Sequence, residues 1–183
     1  MTEKVSVSAR YSLQPGQQAP SAALRRALDP VVARFEATLG ETKTDLDLRI
    51  RPEQLLDVAT ALKSSPTLSF DYLRNIAGVD FGDEGMALKY HFYSFRHGWA
   101  LQVTVPTAAG HPHIPSLTPL YPAANWHERE AAEMFGFVFD GHPNLKNLLL
   151  DEDVHIHPLL KAHPLQKPEI KQGIESGPPG FTF

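Results

Sequence analysis

Cysteine is missing from all 183 residues. That excludes a disulfide, a thiolate zinc site and a cysteine-held iron–sulfur cluster in this chain, so any redox centre would have to sit on a partner. No apolar run approaches the roughly 20 residues that a membrane-crossing helix needs. A basic excess is missing too: the formal net charge is −4 and the Lys and Arg residues are scattered, which argues against nucleic acid as a ligand. Nucleotide and hydrolase signatures are also wanting, with no Gly-x-Gly-x-x-Gly after a strand, no phosphate loop ending in Gly-Lys-Ser/Thr and no Gly-x-Ser-x-Gly elbow. The opening Met1-Thr2-Glu3-Lys4-Val5-Ser6 carries no apolar segment of the signal-peptide kind, which leads us to expect a cytoplasmic protein.

What is present is ordinary for a soluble globular chain, with 42% apolar and 21% charged residues. The length suits a small domain with an arm. Residues 1–20 are polar and patternless and read as an extension. From Ser21, Leu24, Leu28, Val31 or Val32, Phe35 and Leu39 recur at helical spacing, with Gly40 as the expected stop. Asp29-Pro30 suggests that the stripe divides into two short helices. Leu46, Leu48 and Ile50 alternate with polar residues as a half-buried strand does. Pro52-Glu53 opens a helix expected to turn Leu55, Leu56, Ala59 and Leu62 inward. Phe70, Leu73, Ile76 and Val79 suggest a short helix or turn leading to Asp80.

A hairpin follows, with Met86, Leu88, Tyr90 and Phe92 on one strand, Arg96-His97-Gly98 at the turn, and Trp99, Leu101, Val103 and Val105 on the next. The sum predicts an α+β domain over residues 21–137, with helices on one face of a small, mainly antiparallel sheet. Residues 138–183 hold many prolines and glycines without a sustained period, which predicts an extended arm. Such an arm would lack a core of its own, and its amides would be protected only by a partner.

Between domain and arm lies a densely charged helix. Asn125 and Glu128 have the spacing of a capping box, while Ala131, Met134 and Phe135 form its apolar side with Glu128 at the edge. Trp126, Arg129, Glu130 and Glu133 are expected on the other side, with Arg129 and Glu133 one turn apart. An exposed pair of that kind contributes only about 0.3–0.5 kcal/mol, too little to account for the cluster, which suits a surface that another protein covers.

Nine histidines raise the question of a metal. His155-x-His157 with His142 and His163, and His111-Pro112-His113, supply imidazoles, but His127-Glu128-Arg129-Glu130-Ala131 lacks the second His of a zinc-protease helix. We expect no metal site. In His142-Pro143, His157-Pro158 and His163-Pro164 the proline favours extended backbone before it, as befits an arm lying on a partner. Asp80, Asp83 and Glu84 read as solvated loop carboxylates.

The string Glu128-Arg129-Glu130, Glu133, Met134-Phe135, Gly141-His142-Pro143 and Leu145-Lys146, closed by Leu148-Leu149, resembles the signature of the C-subunit family of proton-pumping NADH:quinone oxidoreductase, respiratory complex I. Residues 70–80 and His157-Pro158-Leu159-Leu160-Lys161 are similar to further segments of that family, and the likeness runs from Asp45 to Leu165. Departures are Glu133 for the more usual Asp, Ile156 for the Gly before His157, Leu160 for an Arg and Ala162 for an acid. The resemblance implies a structural subunit without catalytic residues, on the cytoplasmic side of the membrane. FMN, iron–sulfur clusters and quinone would belong to partners, above all the D-type subunit with the quinone pocket and the B-type subunit with the terminal cluster. The contact residues implied are Trp126, Glu128, Arg129, Glu130, Glu133, Phe137, Gly141, His142, Pro143, Lys146, His157, Pro158 and Lys161. The alternatives are the equivalent subunit of an energy-converting hydrogenase and a free-standing cytoplasmic adaptor.

Overall fold

The computed structural model describes residues 22–108, 110, 112–151 and 155–163. The expected polar extension and the end of the arm lie outside the described residues. Helix α1 (Ala22–Phe35) turns Leu24, Leu28, Val31 and Phe35 into the core and runs unbroken through Pro30, where the sequence suggested two helices. It stops at Glu36, whose φ of 51° is left-handed, so Leu39 falls in strand β1 (Thr38–Glu41) instead of extending the helix to Gly40. Strand β2 (Leu46–Arg49) buries Leu46 and Leu48 as its alternation predicts. In α2 (Leu55–Ser64) the buried stripe is Leu55, Val58, Ala59 and Leu62. Leu56 lies about 100° round from Leu55 and is exposed, which corrects the expected inward set.

Strand β3 (Tyr72–Asp80) replaces the expected short helix. Its register on β4 (Met86–Ser94) skips at Arg74, so Leu73 pairs with Phe92 and Ile76 with Tyr90. This bulge puts the two inward residues three apart, a helix-like spacing inside a strand. Strand β5 (Trp99–Thr107) completes the hairpin, with Leu101, Val103 and Val105 opposite Phe92, Tyr90 and Leu88. The sheet order is β1-β2-β5-β4-β3, antiparallel except where β2 runs parallel to β5. One core fills its inner face, built from the buried residues of α1 and α2 and from Leu73, Ile76, Leu88, Tyr90, Phe92, Leu101, Val103 and Val105. The α+β expectation, helices on one face of a mainly antiparallel sheet, agrees.

Strand β6 (His113–Pro115), α3 (Ala124–Phe135) and β7 (Val138–Asp140) close the described domain. β6 and β7 pair in parallel, so the segment after Phe137 begins as a strand and continues a hydrogen-bonded path through Ser116 N–H to Asp140 O at 2.9 Å. Helix α3 packs on β3, and its Phe135 ring occupies the space beside Gly78, where a Cβ would fall 2.4 Å from the ring. A glycine there is what lets the helix approach the sheet.

Candidate functional site

Helix α3 is buried on two sides. Ala124, Glu128 and Ala131 share one stripe against the sheet, and Glu133, nine residues beyond Ala124 and about half a turn round from that stripe, is covered by the arm. This is why the helix carries buried charge on both sides: Glu128 meets a hydroxyl and an amide, and Glu133 three amides, rather than solvent. Ala123 precedes the helix without a side-chain cap, so the Asn125–Glu128 capping box does not form.

Glu128, 0% exposed, reaches back to the loop after β6. Ser116 Oγ donates to its Oε2 at 2.6 Å and Leu117 N–H to its Oε1 at 2.7 Å. Burial pushes the carboxyl up to about 7, against the pull of these hydrogen bonds toward the charged form. His142 Nε2 stands 4.0 Å from Oε2 and donates to the Asn125 carbonyl at 3.1 Å, while its Nδ1 accepts the Asn144 N–H at 3.0 Å. That pattern specifies the neutral ring with its proton on Nε2. Across the core, the hydroxyl of Tyr90 is buried without a hydrogen-bond partner, and burial together with the Glu128 charge keeps it protonated.

On the opposite side Glu133, 4% exposed, gathers three consecutive amides of the arm. Leu148 N–H donates to its Oε2 at 3.2 Å, Leu149 N–H to the same oxygen at 3.1 Å, and Leu150 N–H to Oε1. Arg129 takes the carbonyls just before them: Nε donates to Lys146 O at 2.7 Å and Nη2 to Asn147 O at 2.6 Å. The expected Arg129–Glu133 pair is therefore replaced by two clamps on one strand of backbone, acid on amides and guanidinium on carbonyls.

The second His-Pro element is held as firmly. His157 Nδ1–H donates to Glu133 O at 2.8 Å, and Leu159 N–H to Met134 O at 3.1 Å. The imidazole lies against Gly136, which ends the helix at φ 80° and whose Cβ, if present, would fall 2.8 Å from the ring. Only glycine satisfies both the left-handed turn and the contact. Lys161 N–H donates to Asp80 Oδ2 at 2.8 Å and Gly82 N–H to Oδ1 at 2.7 Å. The Lys161 amide, then that of Gly82, holds the Asp80 carboxyl below its ordinary range. The arm's described backbone thus finds partners on its own domain, which corrects the expectation that only another protein would protect it.

The other expected contact residues fall into two groups. Trp126 is 67% exposed, and Glu130, Pro143, the Lys146 side chain and Lys161 also face outward. Gly141 makes an exposed left-handed turn at φ 83°, and Pro158 is half-buried. Phe137 instead belongs to the domain's own core, with Phe135 and Phe139 around it. A cleft of about 290 Å³ separates α3 from the arm, bordered by Arg129, Glu133, Leu145, His155 and His157. Among the described residues no three His, Asp or Glu converge as metal ligands would. Ser116 and Leu117, which hold Glu128, and Asp80, which holds the Lys161 amide, have no signal in the sequence patterns beyond the acidic turn that contains Asp80.

The model of the family "Respiratory-chain NADH dehydrogenase, 30 Kd subunit" matches residues 48–169. The chain belongs to this family. Among its relatives is the C subunit of the NADH-quinone oxidoreductase of Roseiflexus castenholzii, 40% identical over an alignment of 149 residues that covers 76% of this chain and 86% of that one. The protein of the same name from Methylorubrum extorquens is 38% identical over 141 residues, 76% of this chain and 62% of the other. A solved structure of Nqo5, as its trypsin-resistant fragment (1-134), is similar with a TM-score of 0.59 at 27% identity, covering 67% of this chain and 99% of that one. A chain of the membrane-bound sulfane sulfur reductase shares the fold, with a TM-score of 0.65 at 23% identity over 78% of this chain and 84% of that one. The resemblance in the charged helix and the two His-Pro elements therefore led to the right family, that of the complex I C subunit. No helix among the described residues is long and apolar enough to cross a membrane.

Proposed function

We propose that this chain is a structural subunit, without a redox centre of its own, in the peripheral arm of a proton-translocating NADH:quinone oxidoreductase on the cytoplasmic side of the membrane. Its partners would include the D-type subunit with the quinone pocket and the B-type subunit with the terminal cluster, with FMN, iron–sulfur clusters and quinone held by other chains. The observation that carries this reading is an arm pinned along its backbone yet apolar on its outside. Leu149 is 65% exposed, and Ile156 and Leu159 are exposed as well, while the amides of Leu149, Leu159 and Lys161 are fixed by Glu133, Met134 and Asp80. Holding these side chains outward in one geometry lowers the ordering cost of association and leaves apolar surface for a partner to cover.

Leu149→Ser, Ile156→Ser and Leu159→Ser combined test this reading. The free chain should keep its melting temperature, because these side chains leave the core untouched, while membranes carrying the variant should lose assembled complex and NADH:quinone activity together. Normal assembly would refute the docking role of the arm.

A further inference from the structure

The sheet face turned away from the helices ends in an aromatic cluster. Tyr72, 44% exposed, and Tyr93 are register partners, and Phe95, 66% exposed, stands over both, with ring centroids 5.4 Å from Tyr72 and 5.3 Å from Tyr93. Arg74, two residues along β3 from Tyr72, lies on the same face, its guanidinium 5.4 Å from the centre of the Tyr93 ring. Arg96, next to Phe95 in the hairpin turn, is exposed. Neither guanidinium pairs with a carboxylate among the described residues, in a chain whose formal net charge is −4. The nearby Asp71 is engaged otherwise, accepting the Phe95 N–H at 3.1 Å. That bond ties the hairpin tip to the start of β3 and fixes the height at which Phe95 stands.

Exposed aromatics flanked by arginine, on rigid backbone, are the composition of an interface anchor. We propose that Tyr72, Tyr93 and Phe95 with Arg74 and Arg96 form a second docking surface, taken by an apolar pocket rimmed with Asp or Glu carboxylates on a neighbouring subunit. It rests on the reading of the chain as part of a larger complex. Tyr72 and Asp80, where the arm is anchored, are the two ends of β3 and so lie about 26 Å apart at about 3.3 Å per residue. The two surfaces lie at different ends of the domain, so the chain bridges its neighbours rather than capping one.

The test uses the whole complex in its native membranes. A photo-crosslinking phenylalanine analogue at position 95 should join a peptide of a co-purifying subunit that carries Asp or Glu at the crosslinked segment. Phe95→Ala with Arg74→Glu and Arg96→Glu should leave the melting temperature of the free chain unchanged and lower its recovery with the complex about 30-fold or more, as loss of an interface anchor does. A wild-type chain that co-purifies while the variant does so equally overturns the second surface and leaves the arm reading standing. Crosslinks to a second copy of this chain, to lipid or to a segment without carboxylates also overturn it. A wild-type chain that co-purifies with no other subunit overturns both readings.

Discussion

Replacing Glu133 with alanine removes the one acceptor shared by the amides of Leu148, Leu149 and Leu150. A hydrogen bond to a charged group contributes about 1.5–3 kcal/mol net, but three amides share one carboxylate here and can turn to water once freed. The whole clamp is therefore worth about 2–4 kcal/mol rather than the sum of its bonds. At about 1.4 kcal/mol per tenfold, native-state hydrogen exchange at these amides should accelerate about 30- to 1,000-fold. The amides of β4, in the middle of the sheet, should keep their rates, because arm release is a local opening that leaves the ladder intact. Unchanged exchange at Leu148–Leu150 would refute the clamp, and equal acceleration in β4 would show that Glu133 supports the whole fold instead.

Arg129→Glu takes away both bonds to the Lys146 and Asn147 carbonyls and sets a second carboxylate beside Glu133. Trypsin should then cut the free chain after Lys146 about 5- to 150-fold faster, for a loss of about 1–3 kcal/mol in arm docking; an unchanged rate would contradict the contact. Glu128 has its carboxyl raised from 4.5 to about 7, so the folded state binds the proton more tightly than the unfolded one. Its stabilising contribution is full below pH 4.5 and is lost as pH rises through about 7, by about 3 kcal/mol in all. Denaturant titrations of wild type should show that decline, and Glu128→Gln should flatten it; the same slope in both would assign it to other groups. Gly78→Ala forces a Cβ against the Phe135 ring and should cost about 1–3 kcal/mol, read as a lower denaturation midpoint, whereas a neutral outcome would mean that α3 shifts freely.

The stripes of α1 and the hairpin of β4 and β5 were legible because each buries one regular face. β3 was not, since the bulge at Arg74 gives Leu73 and Ile76 the spacing of a helix turn. Leu56 misled because apolar character alone does not place a residue on a stripe, whereas Val58 fits its angle. The charged helix stands out in the sequence because its charges are too many for surface pairs, but the partners of Glu128, Arg129 and Glu133 lie elsewhere in the same chain. The amides of Leu117 and of residues 148–150 carry no side-chain signal for a carboxylate, and Ser116 offers only a common hydroxyl, so no spacing rule could reveal them. The outward Leu149, Ile156 and Leu159 were equally unreadable until the backbone showed which way it was held.

Purifying this chain, tagged, from its native membranes and identifying what comes with it tests most directly whether it serves a respiratory complex as a structural subunit. One copy of the chain should emerge in a complex with flavin- and iron–sulfur-bearing subunits that reduces quinone with NADH. Recovery of the chain alone, or with subunits that evolve hydrogen and lack NADH:quinone activity, would contradict that role.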